Sequence, residues 1–443
     1  MLKLIFSDLK TNKATWLGAF FVAIACGYIG GWVISILGTA QFYVGAVYKN
    51  INQAGTILFL FSIVAGLAVI SAVAKLTVDA QRKSYALWQL VNVSPRKVIV
   101  VVLAQLSVVA ILGAICGTLL SGISFSPLFP LVFSARKIFE EVIPRVDLSS
   151  MPIVWSGVAC VFLSGGLKAA RAAGRATPLQ ALTSQPLKKL DMTWIRLLLF
   201  AVLLTITVWF SYSIIVDGPN NGMDRSIYLP ILLVGTLVPI APVLFLLFMR
   251  IWTLLVPQRC VVWFLARRMA LYNFSLSTSV QTPIMVGFGM VAGILTIINT
   301  MKHYATDIGI TNFNGLDLTS TILAMGGPIL LSAVGAAASI GMTARSRISD
   351  VKLLAISGAS PRTLILAAIC ETFIHSANAT FVGIIAVAAS NYIVSKGLMI
   401  LPFVDITITD GLIVSLLGFI MIAITVLTPT LFALSRKDII QQA

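Results

Sequence analysis

The sequence predicts an all-α polytopic membrane protein with ten transmembrane helices in a 4 + 2 + 4 order, and three observations carry that expectation. First, 58% of the 443 residues are hydrophobic and only 10% charged, with a mean hydropathy of +1.00, whereas an ordinary soluble domain carries roughly a quarter charged residues. Second, ten apolar runs are long enough to cross a hydrocarbon core of roughly 30 Å. Third, one stretch occurs twice: a shift of 266 positions lays residues 82–105, RKSYALWQLVNVSPRKVIVVVLAQ, over 348–371 without a gap.

Each copy of the repeated stretch reads as a short basic helix, a tight turn and the start of a long apolar helix. Gly358 stands where a helix ends on a left-handed residue, and its counterpart Asn92 is the other residue type that tolerates that conformation. Ser360 and Ser94 are placed to cap the next helix, with Pro361 and Pro95 at its first position, where no N–H is needed. The shift pairs Leu87 with Leu353, Leu90 with Ile356 and Arg96 with Arg362.

In chain order, residues 1–15 form a basic amphipathic segment, and spans one and two cover 16–37 and 56–74. The first run is longer than a signal-peptide core and is read as a membrane anchor. The first copy of the repeat then leads into span three at 98–120, and span four covers 151–167. A strongly basic stretch, LKAARAAGRATPLQALTSQPLKKL, precedes spans five and six at 195–216 and 227–249. A second basic amphipathic segment opens span seven at 280–300, and span eight covers 321–343. The second copy follows, then spans nine and ten at 365–394 and 411–434. The expected division is a four-span unit at 1–183, a two-span insert at 184–261 and a second four-span unit at 262–443.

A net charge of +16 is the balance of many nucleic-acid binders, but its placement excludes that class. Of the 31 Lys and Arg, 24 fall on one side of the predicted spans, which the positive-inside rule makes cytoplasmic, with both termini on it. An even number of spans separates the two units, so they should run in the same direction, related by an axis along the membrane normal. Small residues share the register of the repeat: Ala23 and Gly27 match Gly289 and Gly293, while Gly113 and Gly117 match Ala379 and Gly383. Small-xxx-small faces of this kind let helix backbones approach closely.

These residues resemble a known family. LLAISGASPR at 353–362 with an acid nine residues on, and RATPLQAL after the fourth span, are similar to the signature segments of FtsX-like permeases, the membrane subunits of type VII ABC transporters of the MacB and Bce types. The tail RKDIIQQA resembles a weaker second copy of RATPLQAL. The resemblance covers both four-span units, and the 4 + 2 + 4 layout is similar to the Bce-type permeases associated with antimicrobial peptide resistance. Those proteins carry a large extracellular domain between spans seven and eight, where this chain has about 20 residues.

The resemblance implies a permease subunit in a bacterial plasma membrane, driven by two copies of a separate ABC ATPase that bind the ATP and Mg. Nothing here matches a phosphate-cradling G-x-x-x-x-G-K-[ST] loop, and no cofactor is expected on this chain. Leu87, Trp88 and Val91, with Leu353, Leu354 and Ser357, would face the ATPase, flanked by Arg82, Lys83, Arg345 and Arg347. Leu90, Ile356, Gly358, Arg96 and Arg362 complete the coupling elements. The rival reading is a pair of interfacial helices resting on lipid headgroups. Cargo already in the membrane is expected: an amphipathic peptide, a lipid-like molecule or a hydrophobic toxin. The alternative function is a non-transporting signalling subunit driven by the same kind of ATPase.

Glu371 is the one acid well inside a span, roughly 13 Å beyond Arg362 at helical rise. His375 and Asn378 follow at i+4 and i+7, so the three share one face of span nine. Gln105 is the counterpart of Glu371 in the first unit. Polar groups at that depth usually face protein or water rather than lipid, which leaves two readings: a substrate-path or latch group, or an interhelical hydrogen bond. Two side chains alone make a poor metal site, and His303 is expected to be solvated beyond the far end of span seven.

Overall fold

The computed structural model describes residues 13–90, 93–133, 142–174, 194–256, 260–272, 274–309, 331, 333–335, 337–338, 344–403 and 406–435. Among the described residues every regular element is a helix, as a chain must be that satisfies its backbone polar groups inside lipid. The first unit holds α1 (Lys13–Ala40), α2 (Gly45–Ala80), the short α3 (Arg82–Leu90), α4 (Pro95–Phe133) and α5 (Met151–Gly174). The insert holds α6 (Trp194–Ser226) and α7 (Leu229–Leu255). The second unit holds the short α8 (Val261–Tyr272), α9 (Phe274–Asp307), α10 (Ala344–Ile356), α11 (Pro361–Gly397) and α12 (Thr409–Ser435).

Eight of these helices are long and apolar enough to cross a membrane, and Met151–Leu167 within α5 is a shorter apolar helix. Together they make a multi-span membrane protein. Most of span eight, the segments RATPLQAL and RKDIIQQA, Val91, Asn92 and residues 1–12 lie outside the described residues.

Several helices run past their expected ends. The second starts at Gly45 rather than at residue 56, and α4 continues to Phe133 rather than stopping at 120. In α4 the helix continues through Pro127 and Pro130, which lack an N–H to donate, within a run that stays apolar to Leu131. In α4 the extension carries Phe125, Phe129 and Phe133 in succession, with ring centroids 5.4 and 4.7 Å apart, and Trp32 of α1 stands edge-on to Phe125 at 5.0 Å. The insert helix α6 breaks at Gly218, where φ is +61°, and Arg225 closes the break by an ion pair to Asp217 at 2.7 Å.

The first unit is held by backbone contact between α1 and α4. A Cβ on Gly117 would lie 2.2 Å from the Ile24 carbonyl oxygen, and one on Gly27 would lie 2.5 Å from that of Ala114. A Cβ on Gly113 would lie 2.4 Å from Ala23 Cβ. The small pairs named from the sequence are therefore where the two helices touch. In the second unit the same register gives a different result. Gly289 still approaches Gly383, but Val234 and Pro230 of α7 fill the space over Gly289 and Gly293. With α7 added to α11 and α12, the apolar stretch of α9 is almost wholly enclosed.

Burial repeats with the 266-residue shift. Tyr85 and Val351, Val98 and Leu364, Val101 and Ala367, Leu106 and Thr372, and Ala110 and Ser376 are buried in both units. The largest departures include Leu112, 52% exposed against a fully buried Asn378, and Leu120, 51% against 3% for Ala386.

At the far end of α1, residues 142–150 fold back onto the helix. Thr39 Oγ1 donates to the Arg145 carbonyl, the Ile143 N–H donates to Tyr43 Oη at 2.8 Å, and the Arg145 guanidinium lies 4.3 Å from the Phe42 ring centre. Asp147 accepts from the Ser149 hydroxyl at 2.6 Å and from the N–H groups of Ser149 and Ser150, and so starts α5.

Two outcomes follow from this packing. Gly117→Val should destabilise the protein by about 1–3 kcal/mol through overpacking, while Gly157→Ala, in the middle of α5 with nothing within 4 Å of its added Cβ, should not lower the thermal midpoint and should raise it slightly. The hydrogen bonds from Ser149, then Ser150, hold the Asp147 carboxyl below its ordinary range. A depressed folded value contributes stability that is present above the unfolded value near 3.9 and lost as pH falls through the folded one. Hydrogen-exchange protection at residues 149–150 should therefore drop below about pH 4, and Asp147→Asn should remove that acid step.

Candidate functional site: two bolted helices and a buried polar seam

The turn after α10 is built as its residues dictate. Gly358 has φ +96°, and the last turn closes by the Ala359 N–H on the Leu354 carbonyl and the Gly358 N–H on that of Ala355, both at 3.1 Å. This is a Schellman closure. Ser360 then caps α11, its hydroxyl accepting from the Thr363 N–H, with Pro361 in the first turn. In the first copy the equivalent bond runs from the Val93 N–H to the Trp88 carbonyl at 3.1 Å. In both copies this bond ties the end of the short helix to the residue that leads into the next span.

Both short helices turn one face inward. On α3, Tyr85 is buried, donates to Gln81 Oε1 at 2.6 Å and meets Trp88 edge-on at 5.2 Å. Gln89 donates to the Ala173 and Gly174 carbonyls, satisfying the open end of α5. On α10, Val351 is buried with Leu364 and Ala433, and Leu354 packs against that cluster. Trp88 and Leu354 therefore turn toward their own bundles. Leu87 and Leu353 occupy the same repeat position and point outward, at 55% and 66% exposure, with Ile356 also exposed. Arg96, Gly358 and Arg362 are exposed as well. The backbones of Arg82, Lys83, Leu90, Arg345 and Arg347 lie in α3 and α10.

The polar face of α11 is wholly internal. Glu371, His375 and Asn378 are buried, and a fourth residue, Gln281 of α9, joins them. Gln281 Nε2 lies 2.9 Å from His375 Nδ1, and Asn378 Nδ2 donates both to Gln281 Oε1 at 2.8 Å and to the Phe245 carbonyl of α7 at 3.0 Å. An amide that donates to Nδ1 requires that nitrogen bare, so a neutral ring carries its proton on Nε2, the nitrogen facing Glu371. The Nε2 to Glu371 Oε1 separation is 3.8 Å, beyond ordinary hydrogen-bond length. The short contacts thus run between helices rather than along α11. Farther along, Ser376 and Thr380 bond Ser415 of α12, and Asn391 donates to Thr300 of α9 at 3.0 Å.

Gln281 was the residue that sequence reasoning missed. Its signal was an amide inside an apolar run, which demands a protein partner, but its partners sit 94 and 97 positions away. Gln105 is buried in the first unit, where Val109 and Leu112 replace His375 and Asn378, so no such seam forms there. Among the described residues no group of three metal-ligating side chains gathers around Glu371 and His375. His303 lies on the last turns of α9, partly exposed and 3.6 Å from Asp307.

A double-mutant cycle on Gln281→Leu and Asn378→Leu should return a coupling of about 0.6 kcal/mol and no more than about 1.7, the range for interhelical hydrogen bonds in membranes. Equilibrium unfolding in mixed micelles measures it. No protein-family model matches the chain and no curated protein matches it, so the geometry of these two elements is what a functional reading has to rest on.

Proposed function

We propose that the chain is the membrane-spanning permease subunit of an ATP-driven transporter. In this reading ten spans are arranged 4 + 2 + 4, with both termini cytoplasmic and the two four-span units the same way up. One observation carries it: two short helices, each fixed to a span by the same turn, present an exposed leucine at the same repeat position, Leu87 and Leu353. A dimeric motor with two equivalent grooves would be met by two equivalent handles. ATP and Mg belong to that separate ATPase, present in two copies.

The cargo class follows from the FtsX-like resemblance and the short stretch between the predicted spans seven and eight. With about 20 residues there, the substrate is one that already partitions into the bilayer: an amphipathic peptide, a lipid-like molecule or a hydrophobic toxin, exported or extracted from a bacterial plasma membrane. The buried seam on α11 is then a clamp inside the second unit rather than a transport path.

Co-purification with a separately encoded ATP-binding-cassette ATPase tests the reading. Leu87→Asp combined with Leu353→Asp should abolish the complex while leaving the thermal midpoint of the membrane protein unchanged. ATPase activity should rise when a hydrophobic peptide or lipid is added to the wild-type complex. Undiminished co-purification of the double variant would remove the coupling assignment.

A further inference from the structure

We propose that the buried seam is a proton-binding site: His375 Nδ1 takes the proton, and the contact between α11 and α7 is released when it does. The direction of the seam is fixed at its α7 end. A backbone carbonyl only accepts, so the Asn378 atom 3.0 Å from the Phe245 carbonyl oxygen is the amide nitrogen. That nitrogen also meets Gln281 at 2.8 Å, where it needs an oxygen. Gln281 is left with its own nitrogen 2.9 Å from His375 Nδ1, which must then be bare. Each role follows from the one before it.

Protonation of Nδ1 reverses the first role, and the last cannot be reversed. A proton taken from solvent turns the neutral ring into an imidazolium with an N–H on each nitrogen, and the new N–H confronts the Gln281 NH2. Turning the Gln281 amide presents Oε1 to the ring but sets its NH2 against that of Asn378. Turning Asn378 next aims Oδ1 at Gln281 and withdraws the donor from Phe245. Proton uptake at Nδ1 and the α11–α7 bond therefore exclude each other. Little resists the turn of Asn378, which is held through Nδ2 while its buried Oδ1 has no hydrogen-bond partner.

Glu371 is placed to balance the added charge, its Oε1 lying 3.8 Å from the other ring nitrogen. The facing stretches of α7 from Leu229 to Met249, of α9 from Phe274 to Met301 and of α12 from Gly411 to Ser435 contain no titratable residue. On α8, Arg267 donates to Thr253 and Arg268 lies over the Phe264 ring, while Cys370 of α11 packs with that helix. Asp350 and Lys352 of α10 flank Val351, which packs on Leu364, about three turns before His375. Asp217 and Arg225 of α6 pair with each other, and Arg196 of α6 and Arg250 of α7 are exposed. The first unit, with Val109 at the position of His375, lacks the ring. The assignment does not depend on what drives the protein or what it carries.

Nuclear magnetic resonance on the full chain in nanodiscs tests this. With His303→Gln a single histidine remains, so its ring nitrogens can be followed from about pH 9 down to about pH 4, together with a 4-fluorophenylalanine at position 245. Nδ1 should be bare at the alkaline end and protonated at the acid end, and the fluorine signal should move with the same midpoint. Gln281→Leu and Asn378→Leu should each abolish the fluorine shift while the ring still titrates. A ring whose Nδ1 stays bare throughout, or is already protonated at the alkaline end, would overturn the proposal. So would a fluorine signal that stays put while the ring titrates, or one whose shift survives either substitution.

Discussion

Backbone-to-backbone contact between α1 and α4 is the constraint from which the rest of the structure follows. In a bilayer, lipid tails are as apolar as leucine, so helices are held together by close packing and hydrogen bonds rather than by exclusion from water. Gly27 against Ala114 and Gly117 against Ile24 supply that closeness where no larger side chain fits. Once this pair is fixed, α2 and α5 pack around it. Gly165 lies against Ser71 of α2 and Gly166 against Leu106 of α4, so small residues again set the distances.

The second unit starts from the same register and departs from it for one reason, the presence of α7. A helix laid across α9 and α11 turns a lipid-facing surface into an interior one, and the residues there change accordingly. Where the first unit shows Leu112 to lipid, the second buries Asn378 and directs it at the Phe245 carbonyl and Gln281. A buried amide is costly without partners. With them it ties three helices at one point.

Much of this was legible in the sequence because it is local or periodic. The left-handed Gly358, the capping Ser360 and the Pro361 start are fixed by backbone demands that only a few residue types meet, and the small pairs could be read from the shared register. The orientation of Trp88 and Leu354 could not. A helix of 9 or 13 residues with mixed polarity has no dominant face until its neighbours are known, and for α10 those neighbours include Ala433 and Leu265. Gly293 illustrates the same limit: its counterpart Gly27 meets Ala114 of α4, but over Gly293 Pro230 of the insert takes the space. Helix ends were misjudged in α4, where Pro127 and Pro130 read as a stop but the apolar helix runs on to Phe133.

The enclosure of α9 also has a mechanical consequence. A rod gripped on every side by protein yields less than one that borders fluid lipid along a flank. In the transporter we propose, equal loads applied at the two turns would then produce unequal strokes, with the second unit as stator and the first as the moving part.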